Sequence, residues 1–216
     1  MNTLLEAWRR LASHYRGNPG IYGYDLLNEP VVENYVKERP NPWRYMVESM
    51  VKTIRAVDPE TPIIVELGEA DFARFAPLAD AHIIYSPHIY APHSYSHQGV
   101  LSQVRWGYPG EIDGIYWDKE QLRVQLKPVI EFQRKYHARI FVGEFSTALW
   151  SKGGDRYLAD CIALFEEYGW DWTYHAFREW PVWSVEHEAT SFKDIRPSAD
   201  NPRKRALLAG FAKNRQ

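Results

Sequence analysis

Cysteine is nearly absent from this chain, which has Cys161 alone among 216 residues. A single thiol excludes an intrachain disulfide and a thiolate metal cluster. Its place among Leu158, Ile162 and Phe165 at helical spacing marks it as a buried, inert side chain rather than a nucleophile. Long apolar runs are also lacking, so no segment is suited to crossing a bilayer. There is no basic excess: 26 Lys and Arg stand against 28 Asp and Glu, a net charge of −2. That balance argues against nucleic acid or an anionic membrane as the main partner. Met1 leads almost directly into an amphipathic helix, so no signal peptide is expected. With no linker, low-complexity segment or short repeat, the expectation is a single domain over residues 1–216.

Aromatic residues are plentiful, with 9 Trp and 14 Tyr. A pyranose presents an apolar C–H face that stacks on indole, so Trp beyond the needs of a core suits sugar binding. The competing use of each Trp is core filling.

Two apolar runs contain a carboxylate where a buried strand has little place for one. Ile140–Ser146 reads IFVGEFS, with Glu144 near its end, and Ile21–Pro30 reads IYGYDLLNEP, ending on Asn28, Glu29 and Pro30. Such runs suit strands covered on both faces. An ionised Glu there is costly unless it is paired or opens on a cleft.

Taken in order, the chain alternates helices and strands. A helical stripe over residues 3–16 precedes the strand Ile21–Asn28. A helix opening at Asn41-Pro42 precedes Pro62–Leu67 (PIIVEL). A short helix near Phe72–Ala79 leads to His82–Tyr90 (HIIYSPHIY), followed by a long irregular stretch, Ala91–Asp118. A helix over Lys119–His137, kinked by Pro128, leads to the strand bearing Glu144. A helix at Asp155–Tyr168, a strand Trp172–Trp180 and a helix opening at Asn201-Pro202 complete the chain. Alternation of this kind implies parallel βα units. The expected fold class is α/β, with five parallel strands and about six helices, fewer strands than the eight of a closed (β/α)8 barrel.

Asn28, Glu29, His88, Tyr90 and Glu144 each fall at the carboxyl end of an expected strand, the edge where sites assemble in parallel sheets. Two carboxylates at that edge suit glycoside chemistry, one as acid/base and one as nucleophile. Glu66, Glu69 and Asp71 either line outer sugar subsites or form a solvated loop. Trp106, Tyr108, Tyr116 and Trp117 either wall a sugar site or cover the core.

The endings Leu-Asn-Glu-Pro, His-x-Tyr and Gly-Glu-Phe, in this order, together with the terminal FREWPVW, resemble glycoside hydrolase family 5, the cellulase and mannanase family. The resemblance spans nearly the whole chain but only the later part of the family's barrel, from its fourth strand to its eighth. It implies a partial TIM-type barrel acting on β-linked glucan or mannan by double displacement, with transglycosylation as an added outcome. It also implies Glu29 as acid/base and Glu144 as nucleophile. Asn28 would bind the sugar 2-hydroxyl, and His88 and Tyr90 would hold the carboxylates. Trp180, with Trp183 as second candidate, would stack on sugar. Family members are often secreted. No cofactor and no metal is expected, and the partner is an oligosaccharide or polysaccharide. The rival readings are a non-catalytic carbohydrate binder and an inactive, self-associating barrel fragment. Five strands cannot close a barrel, so a homodimer or larger homo-oligomer is expected.

Overall fold

The computed structural model describes residues 1–30, 42–100 and 103–214. In chain order these form α1 (Asn2–Tyr15), β1 (Tyr24–Asp25), α2 (Pro42–Arg55), β2 (Ile63–Glu66), a 3-10 turn (Glu69–Ala73), β3 (Ile83–Ser86) and β4 (His88–Ile89). Next come α3 (His93–Ser96), β5 (Gly110–Ile112), β6 (Ile115–Trp117), α4 (Lys119–Gln125), α5 (Lys127–Tyr136), β7 (Arg139–Val142) and β8 (Glu144–Phe145). The last elements are α6 (Gly154–Tyr168), β9 (Asp171–Trp172), β10 (His187–Glu188), β11 (Arg196–Pro197) and α7 (Pro202–Phe211). Five strands run parallel in the order β1-β2-β3-β7-β9, so the fold is α/β with a sheet that does not return on itself. No helix of the described residues is long and apolar enough to cross a membrane.

The chain falls into two compact units, Met1–Pro87 with Phe132–Ile140, and His88–Glu131 with Phe141–Gln216. In the first unit, all four residues of β2 and of β3 are buried, as strands covered on both faces require. Helix α2 turns Trp43, Val47, Met50 and Ile54 inward at three- and four-residue spacing. Trp8 on α1 donates its indole N–H to the Leu26 carbonyl at 3.2 Å, tying α1 to the segment that follows β1. In the second unit, α6 ends at Gly169 with φ 66, a left-handed cap that glycine adopts without Cβ strain. The Asn201 side chain caps α7 by accepting from the Lys204 N–H at 2.9 Å, with Pro202 next to it.

Phe145 is the packing centre of the second unit. It is fully buried, with Phe165, Trp172 and Tyr174 set edge-on at 5.1, 5.6 and 5.6 Å. Truncation to Ala removes all three contacts and leaves a cavity. The expected cost is about 3–5 kcal/mol, read as a loss of about 10 °C in Tm.

The structure corrects several expected boundaries. There are seven α-helices among the described residues, not about six. The helix expected over Lys119–His137 is two, parted at Leu126. Pro128 cannot donate an N–H one turn back, so it falls in the first turn of α5, where no such bond is needed. The short helix expected at Phe72–Ala79 is a 3-10 turn lying earlier, at Glu69–Ala73. The start of the helix at Asn41-Pro42 holds at Pro42, while Asn41 lies outside the described residues. The stretch Ala91–Asp118, of which 101–102 lie outside the described residues, is not irregular, since it contains α3 and the β5–β6 hairpin. Asp113 and Gly114, at φ 52 and 78, make the two-residue turn that this hairpin requires. The long strands expected at the first and last positions shrink to the pairs Tyr24–Asp25 and Asp171–Trp172.

Two strand runs are also interrupted. Ile84 and Tyr85 pair with Arg139 and Ile140, whereas His88 and Ile89 pair with Glu144 and Phe145. Ser86 and Pro87 separate these ladders on the earlier run; Phe141, Val142 and Gly143 separate them on the later one. Pro87 has no N–H to extend a ladder, and the later run carries one extra residue, as in a β-bulge.

Candidate active site

Glu144 is set directly opposite His88 in the β4–β8 ladder of the second unit. Its Oε2 accepts a hydrogen bond from the Tyr90 hydroxyl at 2.7 Å. The Nδ1 atoms of His175 and His88 lie 3.6 and 3.7 Å from the same oxygen, beyond hydrogen-bond length but close enough to act on its charge. The Tyr90 hydroxyl is also 3.0 Å from His175 Nδ1, and His175 Nε2 is 3.4 Å from Glu179 Oε1. One carboxylate oxygen is therefore surrounded by a hydroxyl and two imidazoles.

In the first unit, Asn28 and Glu29 are exposed just beyond β1. Glu29 has φ 42, a left-handed conformation uncommon for a residue with a Cβ. Its N–H donates to Glu66 Oε2 at 2.6 Å, and the Trp43 indole donates to the Glu66 carbonyl at 2.8 Å. Glu66 is 5% exposed at the end of β2, so a buried carboxylate fixes the backbone from which Glu29 projects.

Trp183 is 3% exposed and packs with Ala148, Ala176 and Val182. Trp180 is half-buried and stands edge-on to Trp183 at 4.9 Å. The main chain of Trp183 is held by a buried knot, in which its carbonyl accepts from the Tyr174 hydroxyl at 2.5 Å and from Arg203 Nη2 at 3.2 Å. Tyr108 and Trp117 are buried, and the Tyr108 hydroxyl donates to Asp160 at 3.0 Å, so these two cover the core. Tyr116, on the hairpin, is exposed.

His97 lies behind Tyr90 and Trp183, with ring centroids 5.1 and 4.9 Å away, and stacks on His93 at 3.7 Å. Burial, and then the neighbouring His93, lower its pKa to about 4. The unfolded chain, with His near its ordinary 6.5, binds the extra proton between those values. This contribution to stability is present above pH 6.5 and is lost as pH falls toward 4. Stability is therefore expected to fall between pH 7 and pH 5. Urea unfolding at pH 7 and pH 5 checks it, with His97→Gln expected to flatten the slope.

A family model described as Cellulase (glycosyl hydrolase family 5) matches residues 2–180. The chain belongs to glycosyl hydrolase family 5. Among the relatives of this family 5 chain, Endoglucanase C of Acetivibrio thermocellus is 26% identical over 209 residues, covering 79% of the chain and 58% of that protein. Endoglucanase 3 of Fibrobacter succinogenes is 32% identical over 104 residues, covering 44% and 15%. The family 5 chain thus spans 58% of the length of the first of these relatives. Two solved structures agree in fold. A hyperthermophilic endo-β-1,4-glucanase in complex with substrate has a TM-score of 0.77 at 22% identity, covering 96% of the chain and 65% of that protein. Thermotoga maritima Cel5A with cellobiose has a TM-score of 0.75 at 20% identity, covering 94% and 65%.

Sequence reasoning named Tyr90, His88 and Glu144, which the structure brings together. It missed His175 and Glu179, and it placed Glu66 only as a subsite or loop residue. Glu66 carries the signal already applied to Glu144, a carboxylate inside an apolar run. His175 carries none, being one polar ring in a run of aromatic residues.

Proposed function

We propose that the chain acts as a retaining glycosidase on β-linked glucan or mannan, in the manner of an endoglucanase, with residues 1–216 serving as one catalytic domain. The observation that carries this reading is the setting of Glu144: Tyr90 donates to Oε2 at 2.7 Å, and two imidazoles lie within 3.7 Å of it. Such a setting holds the carboxylate in one orientation, as a nucleophile requires. In the first half-reaction Glu144 attacks the anomeric carbon while Glu29 protonates the departing glycosidic oxygen. In the second, Glu29 takes the proton of the acceptor as it displaces Glu144. Water as acceptor gives hydrolysis, and a sugar hydroxyl gives transglycosylation. Asn28 binds the sugar 2-hydroxyl, His88 and Tyr90 orient the nucleophile, and Trp180, backed by Trp183, offers a stacking face. Two inversions restore the configuration, and the two carboxyls of a retaining enzyme work about 5–5.5 Å apart. The choice of glucan and mannan is supported by the solved Thermotoga maritima Cel5A complexes, which hold cellobiose and mannotriose.

Product analysis by NMR on cello- and manno-oligosaccharides tests the reading. Retained anomers, with longer products where transfer occurs, support it. Inverted product, or binding without turnover, overturns it, the latter in favour of a non-catalytic binder. The working form is proposed to be a homodimer or larger homo-oligomer, since Leu11, Tyr15 and Tyr22 of the first unit are 45%, 36% and 47% exposed. Light scattering is expected to show at least twice the chain mass of 25.3 kDa. A soluble monomer at micromolar concentration defeats that expectation.

A further inference from the structure

The Tyr90 hydroxyl has one proton and two polar neighbours, Glu144 Oε2 at 2.7 Å and His175 Nδ1 at 3.0 Å. An ionised carboxylate only accepts. When Glu144 is charged, the hydroxyl proton therefore points at it, and the His175 contact is made by an N–H at Nδ1 donating to the Tyr90 oxygen. The far nitrogen, Nε2, lies 3.4 Å from Glu179 Oε1; in the imidazolium form, the one form with an N–H on both nitrogens, the ring donates to Tyr90 from one side and meets the Glu179 carboxylate with its second N–H on the other. The order Glu179, His175, Tyr90, Glu144 is thus a directed row in which each member presents its polar atom to the next. All four belong to the second unit. Donation from His175 polarises the Tyr90 O–H and makes it a better donor.

We propose that His175, oriented by Glu179, is a positioning residue that commits the Tyr90 proton to Glu144 and thereby speeds the release of Glu144 from the sugar. The inference rests on reading Glu144 as the nucleophile. In the covalent intermediate the Glu144 carboxyl is an ester and carries no charge. During breakdown, the acceptor oxygen forms its bond to the anomeric carbon as the carbon–Glu144 bond breaks. The electron pair of that bond passes to Glu144, and the acceptor proton passes to Glu29. Negative charge grows on Glu144 in this step alone, so a strong donor at Oε2 lowers its barrier. In the first step the same charge is being lost, and the donor gives no comparable help.

The row therefore predicts a step-specific defect, which a merely structural role does not. An aryl β-cellobioside with an activated phenol leaving group makes breakdown rate-limiting, so kcat reports the second step and kcat/KM the first. For His175→Leu, kcat is expected to fall about 10- to 100-fold, the worth of a hydrogen bond to a charged group. KM falls with it, leaving kcat/KM within about threefold. His175→Asn returns an amide N–H to the Nδ1 position and is expected to recover most of kcat. Glu179→Gln gives a weaker version of the same split and serves in place of His175→Leu if that variant does not fold. Trapping with a 2-deoxy-2-fluoro aryl cellobioside, followed by mass spectrometry of the Glu144 peptide, separates the two readings. A labelled wild type whose His175→Leu variant loses kcat and kcat/KM together, or whose Asn variant recovers nothing, overturns the role of His175 alone. A wild type that takes no label at Glu144 overturns the nucleophile assignment, and this inference with it.

Discussion

Glu144→Gln is expected to abolish turnover on every β-linked substrate, by about 10⁴-fold or more, the order of loss when a nucleophile is removed. The urea midpoint should stay close to that of the parent. Gln has the same shape, and its amide oxygen still accepts from Tyr90. The Glu144 side chain is 19% exposed at a strand end, so the exchange breaks no deeply buried ion pair. What it removes is the charge that attacks the anomeric carbon. Because the attack precedes every product, an activated leaving group cannot rescue the variant. A Glu144→Gln protein that still releases phenol from an aryl cellobioside at a substantial rate sinks the assignment.

Glu29→Gln is expected to behave differently, and the contrast is more informative than either loss alone. On natural oligosaccharides the departing alkoxide needs a proton, and losing the acid should cost about 10²–10⁴-fold. A dinitrophenolate leaves unaided, so the first step survives, and the enzyme stalls as a covalent intermediate because no base activates water. A burst of phenol followed by slow turnover is the expected trace, and azide, an acceptor that brings no proton, should restore the steady rate. Equal loss on activated and natural substrates would remove Glu29 from the acid role. Because the N–H of Glu29 is held by buried Glu66 at 2.6 Å, the exchange at its side chain leaves that backbone bond in place.

The sequence made the second, third and fourth strands of the sheet legible because PIIVEL, HIIYSPHIY and IFVGEFS are apolar on both faces, as only a covered parallel strand tolerates. It made Glu144 legible because a charge in such a run is costly without partners. It could not show which partners. Tyr90 and His88 were reachable through a short motif on one run, but His175 lies 31 residues beyond Glu144, on a different segment. Only folding places its ring on the Tyr90 hydroxyl. The first and last strands were over-read because apolar and aromatic residues continue past the point where hydrogen bonding stops. Trp183, three residues past the expected last strand, fills core at 3% exposure. The hairpin at Gly110–Trp117 was missed although Asp113-Gly114 is a strong local turn signal; the richness of the surrounding stretch in Pro, Tyr and Trp masked it.

The extra residue between the two ladders has a genetic consequence. Neighbouring residues on a strand point to opposite faces, so shifting the count by one exchanges Phe145 and Glu144 between them. Losing one codon anywhere from Phe141 to Gly143 would bring the fully buried ring to the place of the charge, move the charge to the place of Gly143, and leave Ser146 where the ring had packed against Phe165, Trp172 and Tyr174. Substitutions there alter one side chain; a change of length rewrites the address of every residue after it. In descent, this segment should therefore accept new letters far more readily than a new length.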